Sequence, residues 1–150
     1  MLSVGLRNNL EERSLENDLK LGLNKEDNIV QTLNAGFNDI FVNTKDKYGD
    51  QYYPYDFESE NGVVIELKSR RNTYAQYPTT IIPVSKVLNR ADIKRHIFVF
   101  EFIDGIYYTD YDKERFSKYE IKMITTKRKG IVDKPKPHFC IPIKDLCKIN

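Results

Sequence analysis

The alternation of apolar and polar positions is clearest in two short runs near the middle of the chain, Pro54-Tyr55-Asp56-Phe57 and Val63-Val64-Ile65-Glu66-Leu67-Lys68. Both runs are rich in aromatic and β-branched residues, which favour strands. Asn61-Gly62 lies between them, and this dipeptide between two such runs is typical of a β-hairpin. The sequence therefore predicts a hairpin over residues 54–68.

The length of the hairpin loop decides which side chains meet. A two-residue turn would place Asp56 and Glu66 on opposite faces of the sheet, because side chains alternate along a strand. A three-residue loop pairs Ser59 with Val63 and places Asp56 directly across from Glu66. This loop requires a positive φ at its last residue, which Gly62 adopts at little steric cost. We therefore predict the three-residue loop.

In this register the hairpin has an apolar face and a polar face. The apolar face, which we expect to be core, consists of Tyr55, Phe57, Val63, Ile65 and Leu67. The polar face consists of Asp56, Glu58, Glu66 and Lys68. Two carboxylates about 5 Å apart across a strand pair repel each other when both are ionised, and a divalent cation between them removes that repulsion.

The chemistry of the polar face favours metal-assisted hydrolysis of a phosphodiester. Carboxylate oxygens and a water-filled remainder suit Mg²⁺ or Mn²⁺ better than zinc. Lys68 follows Glu66 by two residues on the same face. There it is placed to orient or deprotonate a water, or to stabilise negative charge on a phosphate.

The segment Pro54-Tyr55-Asp56-Phe57 followed by Glu66-Leu67-Lys68 resembles the signature of the PD-(D/E)XK nuclease superfamily. That fold is shared by many restriction enzymes, junction resolvases and phage exonucleases. The resemblance implies that Asp56, Glu66 and the backbone carbonyl of Leu67 hold Mg²⁺, with Mn²⁺ as a substitute, and that Lys68 serves the attacking water. It also implies an α/β (α+β) fold, a restriction-endonuclease-like α/β/α sandwich around a central mixed β-sheet.

A helix before the hairpin is predicted to begin at the cap residue Asn24 and to end at Gly36. Its apolar stripe consists of Ile29, Val30 and Leu33. In the family that the chain resembles, this helix often donates a glutamate to the metal site, so we expect Glu26 to be an additional catalytic acid, with Asp27 as its competitor. Both residues are equally well explained as first-turn acids that complement the helix dipole.

Patterns elsewhere predict the remaining elements. A helix is predicted over residues 8–21, although its apolar stripe is thin. The almost unbroken apolar run 97–102 predicts a strand in the middle of the sheet. A hairpin is predicted to follow it at Asp104-Gly105. Further strands are predicted over 37–43, 79–83 and 139–143, helices over 85–91 and 111–119, and a polar loop over 44–51. Proline has no N–H to donate to the hydrogen-bond ladder of a sheet. Residues 134–137 are therefore predicted to stay out of a central strand, and residues 139–143 are predicted to form an edge strand.

Charge is unevenly distributed, although the net charge is only +2. Residues 1–62 carry six Lys/Arg against twelve Asp/Glu, and residues 113–150 carry eleven against four. The basic segment 113–150, part of the same single domain 1–150, is therefore the candidate surface for a polyanion. An equally good explanation is that it pairs with the acidic N-terminal part within the fold.

Six basic residues are predicted to contact nucleic acid. They are Arg70, Arg71, Lys86, Lys127, Arg128 and Lys129. Arg70 extends the Lys68 face toward a scissile-strand phosphate, whereas Arg71 points the other way if the strand continues. Lys86 is placed to face the active site, and the last three residues form a basic turn. On a helix or turn, such residues are also commonly just solvated.

Several other functions are excluded or disfavoured by the sequence. No apolar run approaches 18 residues and the start of the chain lacks a signal-peptide pattern, which predicts a cytoplasmic protein, inside the host cell if the protein is from a phage or virus. Cys140 and Cys147 are expected to be reduced, buried thiols rather than zinc ligands. His96 and His138 do not form a metal pair, and there is no glycine-rich nucleotide motif.

The sequence thus predicts a Mg²⁺-dependent deoxyribonuclease, an endonuclease that hydrolyses phosphodiester bonds. Cutting both strands of DNA requires two active sites, so we expect a homodimer or a higher symmetric oligomer. One alternative is a non-catalytic nucleic-acid-binding module that uses the basic C-terminal segment. A second is an accessory subunit with a nuclease-like fold that docks on a larger enzyme.

Overall fold

A computed structural model describes residues 28–128 and 130–149. Backbone contacts divide the chain into two units, residues 1–39 and 40–150, and each is described by itself. The predicted helix over 8–21, the cap residue Asn24, and the candidate site residues Glu26, Asp27 and Lys129 lie outside the described residues.

In the first unit the described part is a helix, α1, over residues 28–37. Ile29 and Leu33 are buried, as their spacing predicts. The predicted end at Gly36 is wrong, because the helix continues past it and Asn38 adopts the left-handed conformation, with φ 50°. Asparagine tolerates this conformation better than most residues. The Asp39 N–H then donates to the Asn34 carbonyl at 3.2 Å, which closes the last turn.

The second unit is built mostly of strands. In chain order its elements are β1 (Val42–Asn43), α2 (Thr44–Tyr48), β2 (Phe57–Glu58), β3 (Val63–Ser69), β4 (Thr79–Pro83), β5 (Arg95–Phe102), β6 (Gly105–Asp110), α3 (Lys113–Ser117), β7 (Glu120–Ile124), β8 (Lys127–Arg128), β9 (Ile131–Val132), β10 (Lys136–Pro142) and β11 (Cys147–Lys148). Two 3₁₀ turns cover Val84–Lys86 and Ile143–Asp145.

The largest sheet has six strands in the order β1-β2-β3-β5-β6-β11. β3 and β5 run parallel, and the other neighbours run antiparallel, so the sheet is mixed. The four residues 97–100 of β5 are completely buried. This confirms the predicted mid-sheet strand, because burial on both faces requires a continuous apolar run. The predicted hairpin is present, but its turn lies one position earlier than predicted, at Ile103-Asp104, because Gly105 already belongs to β6 and pairs with Phe102.

A second, three-stranded antiparallel sheet has the order β4-β10-β7. Phe98, Phe100 and Phe102 of β5 belong to the same buried cluster as Ile82 of β4 and Ile141 of β10. The two sheets therefore pack together through these side chains. Over the described residues the fold is mixed α+β with a mixed sheet and few helices, which agrees with the predicted α/β (α+β) class.

The prediction that the proline-containing segment stays out of a central strand is wrong. β10 lies in the middle of the three-stranded sheet. The reason is positional: Pro137 pairs only with β7, and Pro142 pairs only with β4. Each proline thus lies where one neighbouring strand has already ended, so its missing N–H removes little from the ladder.

Three local predictions also require correction. Residues 44–51 are not only a loop, since Thr44–Tyr48 forms α2, capped by the Asn43 side chain, which accepts from the Asp46 N–H. The helix predicted over 85–91 is reduced to the turn Val84–Lys86, because Val87 is extended, with ψ 122°. The strand predicted over 37–43 is only Val42–Asn43.

Two further expectations concern the cysteines and the membrane. Cys140 is buried as expected, but Cys147 is exposed in β11. Within the described residues, no helix is both long and apolar enough to cross a bilayer.

Candidate active site

The predicted register of the β2–β3 hairpin is confirmed. Phe57 pairs with Ile65 and Glu58 with Val64. The Ser59 N–H donates to the Val63 carbonyl at 2.9 Å, which closes the three-residue loop. Gly62 has φ 80°, the left-handed conformation that this loop requires. Continued by one position, the register sets Asp56 opposite Glu66.

Asp56 is fixed against the backbone of β3 and of Thr44, the first residue of α2. Its Oδ2 accepts from the Leu67 N–H at 2.8 Å, so the side chain replaces a carbonyl of the ladder. Its own N–H donates to the Ile65 carbonyl at 3.0 Å, and its carbonyl accepts from the Thr44 N–H at 2.9 Å. The N–H and C=O of one strand residue point to the same neighbour, so the Leu67 carbonyl also points toward the Asp56 side.

Glu66 is a buried carboxyl, with only 4% of the residue exposed. Its partner on β5 is Phe98, so the polar face of the hairpin continues directly into the core. Burial raises the pKa of Glu66 to about 7, and the negative charge of Asp56 adds to that rise. Among the described residues no hydrogen-bond partner reaches Glu66 Oε2. A buried carboxylate oxygen of this kind is a site for a proton or a cation.

Lys68 lies two residues after Glu66 on the same strand and is partly buried. Burial lowers the pKa of its ammonium group; the charge of Glu66 acts in the opposite direction, and the charge of Lys86 lowers it further. A lysine with a lowered pKa is closer to the neutral form that accepts a proton. The lowered pKa of Lys68 is a shift in the direction that a proton acceptor requires.

Two more lysines reach the carboxylates from other elements. Lys86, in the turn after β4, places its Nζ 3.6 Å from Glu66 Oε2. Lys45 of α2 places its Nζ 3.4 Å from Asp56 Oδ1. Lys86 was among the predicted residues. Lys45 is not among the predicted residues, because the sequence pattern predicts a loop over 44–51 and not the short capped helix that carries it.

Glu58, predicted to lie on the polar face of the hairpin, binds side chains of α2 and of the residues just before β2. Its carboxylate binds Lys47 at 2.9 Å and accepts from the hydroxyls of Tyr48 at 2.7 Å and Tyr55 at 3.2 Å. These contacts hold α2 beside the hairpin. Glu58 therefore positions the helix that carries Lys45.

The predicted nucleic-acid contacts are dispersed. Arg70 donates from Nε to Thr80 Oγ1 at 3.2 Å and from Nη2 to the Ile81 carbonyl, and its guanidinium lies over the Phe100 ring. It thereby ties the two sheets together. Arg71 is exposed after β3. Lys127 and Arg128 form the strand β8, which pairs with β9.

The donors present fit a hard cation that keeps several waters. Asp56 and Glu66 supply carboxylate oxygens on facing strands, and the Leu67 carbonyl points to the same side. In the described part of the chain, no group of three or more His, Cys, Asp or Glu side chains converges. Two carboxylates and a carbonyl are an incomplete cage for Ca²⁺, but Mg²⁺ is commonly bound by one or two carboxylates with water in the remaining positions.

The chain was compared with known proteins in three ways. A scan of protein-family models, a search of curated proteins and a search of solved structures found no match.

Proposed function

We propose that this chain is a metal-dependent DNA nuclease of the PD-(D/E)XK type. The observation that carries the proposal is the hairpin register, which sets Asp56 opposite Glu66 with Lys68 on the Glu66 strand. Glu66 Oε2, which no hydrogen-bond donor of the described residues reaches, supports a cation there. The finer assignment to a restriction-endonuclease-like sandwich is part of the proposal, supported by the mixed sheet with its parallel β3–β5 pair.

Each residue of the proposed centre has a separate task. A bound Mg²⁺ or Mn²⁺ would supply charge stabilisation for the phosphate and activate a water. Asp56, held by the Leu67 N–H, and Glu66 would hold that ion together with the Leu67 carbonyl. Lys68, whose pKa is lowered by burial, would accept the proton of the attacking water. The excess of basic residues over 113–150 would attract the DNA backbone.

We also propose an oligomeric state and a cellular location for the protein. An endonuclease that cuts both strands of a duplex needs two centres, so the active form would be a homodimer or a higher symmetric oligomer in the cytoplasm. Light scattering with and without duplex DNA would test the assembly independently of cleavage.

The test of the activity is a cleavage panel. Supercoiled plasmid, linear duplex, single strand, four-way junction and RNA are each incubated with Mg²⁺, Mn²⁺ or EDTA. We expect metal-dependent cutting that is abolished by Asp56→Ala and by Lys68→Ala and retained by the exposed loop control Glu60→Gln. If no substrate is cut by correctly folded wild type under any of these conditions, the proposal is wrong.

One observation favours a second candidate, a non-catalytic nucleic-acid-binding module. Both carboxylates already have an ammonium partner, Lys45 for Asp56 and Lys86 for Glu66, so the cluster is balanced without a metal. Thermal unfolding at increasing Mg²⁺ concentrations distinguishes the nuclease from the binding module. A site that binds Mg²⁺ only in the folded state must raise the melting temperature as the ion concentration rises. A balanced ion-pair cluster predicts no such rise.

A further inference from the structure

A pocket of about 300 Å³ lies at the start of β5. Its walls include two apolar side chains, Leu88 and Ile93, the cation Lys94, the imidazole of His96 and the ring of Tyr111. The volume is at the lower end of the range for small-molecule sites. The pocket has no role in the proposed cleavage, and its function has to be argued from its own side chains.

His96 is the residue that points to a ligand. It is 6% exposed, and neither ring nitrogen has a hydrogen-bond partner among the described residues. His138 is equally buried, but its Nδ1 lies 2.8 Å from the Lys136 carbonyl. Burial lowers the pKa of His96 to about 4, so its ring is neutral and offers one donor and one acceptor. A buried polar ring without a partner costs stability that a bound ligand would recover.

The charge of the pocket wall favours an anion. Arg90 is paired with Asp92 at 2.7 Å and Arg95 with Asp110 at 2.8 Å, so both guanidinium charges are balanced. Lys94 makes no ion pair with any described residue and gives the wall a net positive charge. An anionic group near Lys94 and His96 would accept a charge-assisted hydrogen bond from the Lys94 ammonium group. It would also accept a hydrogen bond from the ring N–H of His96.

The aromatic and apolar side chains of the pocket wall favour a ligand in which the anionic group is attached to a planar organic group. The His96 ring packs against Phe98 at 4.6 Å and faces Tyr111 at 6.2 Å between ring centres. Leu88 and Ile93 add apolar surface. Aromatic and apolar walls of this kind bind planar rings by stacking and burial.

We propose that this pocket binds a nucleoside monophosphate, with the phosphate on Lys94 and His96 and the base against Tyr111. The inference concerns binding alone and does not rest on the proposed nuclease activity.

The experiment uses the two histidines as built-in reporters. The full chain is labelled with ¹⁵N in its histidine rings, and the two ring spectra, assigned with the His138→Gln variant, are followed during titration with deoxyadenosine monophosphate, deoxyadenosine or inorganic phosphate. We expect a saturable shift of the His96 nitrogens with the nucleotide, weaker shifts with either fragment, and no shift of His138. Lys94→Ala should weaken binding about tenfold, whereas the control Lys144→Ala should not.

Two outcomes would overturn the inference. One is the absence of any saturable His96 shift at millimolar nucleotide. The other is equal affinity of wild type and Lys94→Ala, with melting temperatures showing that both are folded. The titration is repeated on Glu66→Gln, for which binding should be unchanged. Failure of the nuclease proposal would therefore leave this result intact, and the reverse also holds.

Discussion

Lys86 Nζ lies 3.6 Å from Oε2 of Glu66, a carboxyl that is almost completely buried. The contact joins the turn after β4 to the central strand β3, and it supplies a positive charge beside the carboxyl whose pKa is raised to about 7. The lysine therefore opposes the effects of burial and of Asp56.

Replacing Lys86 should change the titration of Glu66. Because the Lys86 charge lowers the pKa of Glu66, the variant Lys86→Met should raise that pKa above about 7. The measurement is a ¹³C titration of glutamate carboxyl signals, with the assignment checked in Glu66→Gln. Lys113→Met, at an exposed helix position, is the control and should leave the signal unchanged. An unchanged Glu66 pKa in Lys86→Met would contradict the contact.

Stability should fall as pH rises through the range set by Glu66. Its pKa in the folded protein, about 7, is above the value of 4.5 expected for the unfolded chain, so the folded state binds the proton more tightly. The stabilisation is complete below about pH 4.5 and is lost as pH rises to about 7, with a total of roughly 3 kcal/mol.

Urea unfolding at pH 5 and pH 8 measures this change. Wild type should lose stability between the two values, and Glu66→Gln, which cannot ionise, should lose much less. A pH dependence that is the same in both proteins would show that Glu66 is not the titrating group.

Glycine at position 62 should be more important than glycine at position 49, although both have positive φ. A Cβ on Gly62 would lie 3.1 Å from Lys94 Cγ and 3.2 Å from the Asp92 carbonyl, whereas a Cβ on Gly49 has no neighbour within 4 Å. Gly49→Ala should cost about 1 kcal/mol through backbone strain, and Gly62→Ala about 2 kcal/mol or more. Paired denaturant titrations measure the difference, and equal losses would contradict the close approach.

Arg70 should affect folding rather than DNA affinity. Its guanidinium hydrogen bonds join β3 to β4, so Arg70→Leu should lower stability by about 2 kcal/mol. Arg71→Leu, at an exposed position, should change stability by less than about 0.5 kcal/mol. Melting temperatures give the comparison. If Arg70→Leu keeps its stability but loses DNA binding, then Arg70 is a DNA contact.

The hairpin could be predicted from sequence because its determinants are local. The strand residues, the dipeptide Asn61-Gly62 and the positive φ that Gly62 adopts fix the register within fifteen residues. That register sets Asp56 opposite Glu66. Lys68 then follows from the alternation of side chains along β3.

The remaining features depend on contacts between distant segments. The burial of Glu66 requires Phe98 of β5 beside it, and no local pattern shows that pairing. The position of β10 between β4 and β7 depends on where its neighbours end, which is why Pro137 was misleading. Lys45 was overlooked because a five-residue helix leaves almost no periodicity to detect, although Asn43 and Asp46 are a capping signal.

The central claim is that Asp56 and Glu66 hold one divalent cation between β2 and β3. Isothermal titration of the full chain with Mn²⁺ at pH 8, where Glu66 is ionised, tests it most directly. We predict one site per chain in wild type, retained by the loop control Glu60→Gln and lost in both Asp56→Asn and Glu66→Gln. Unaltered Mn²⁺ binding in the two site variants, or none in folded wild type, would contradict the claim.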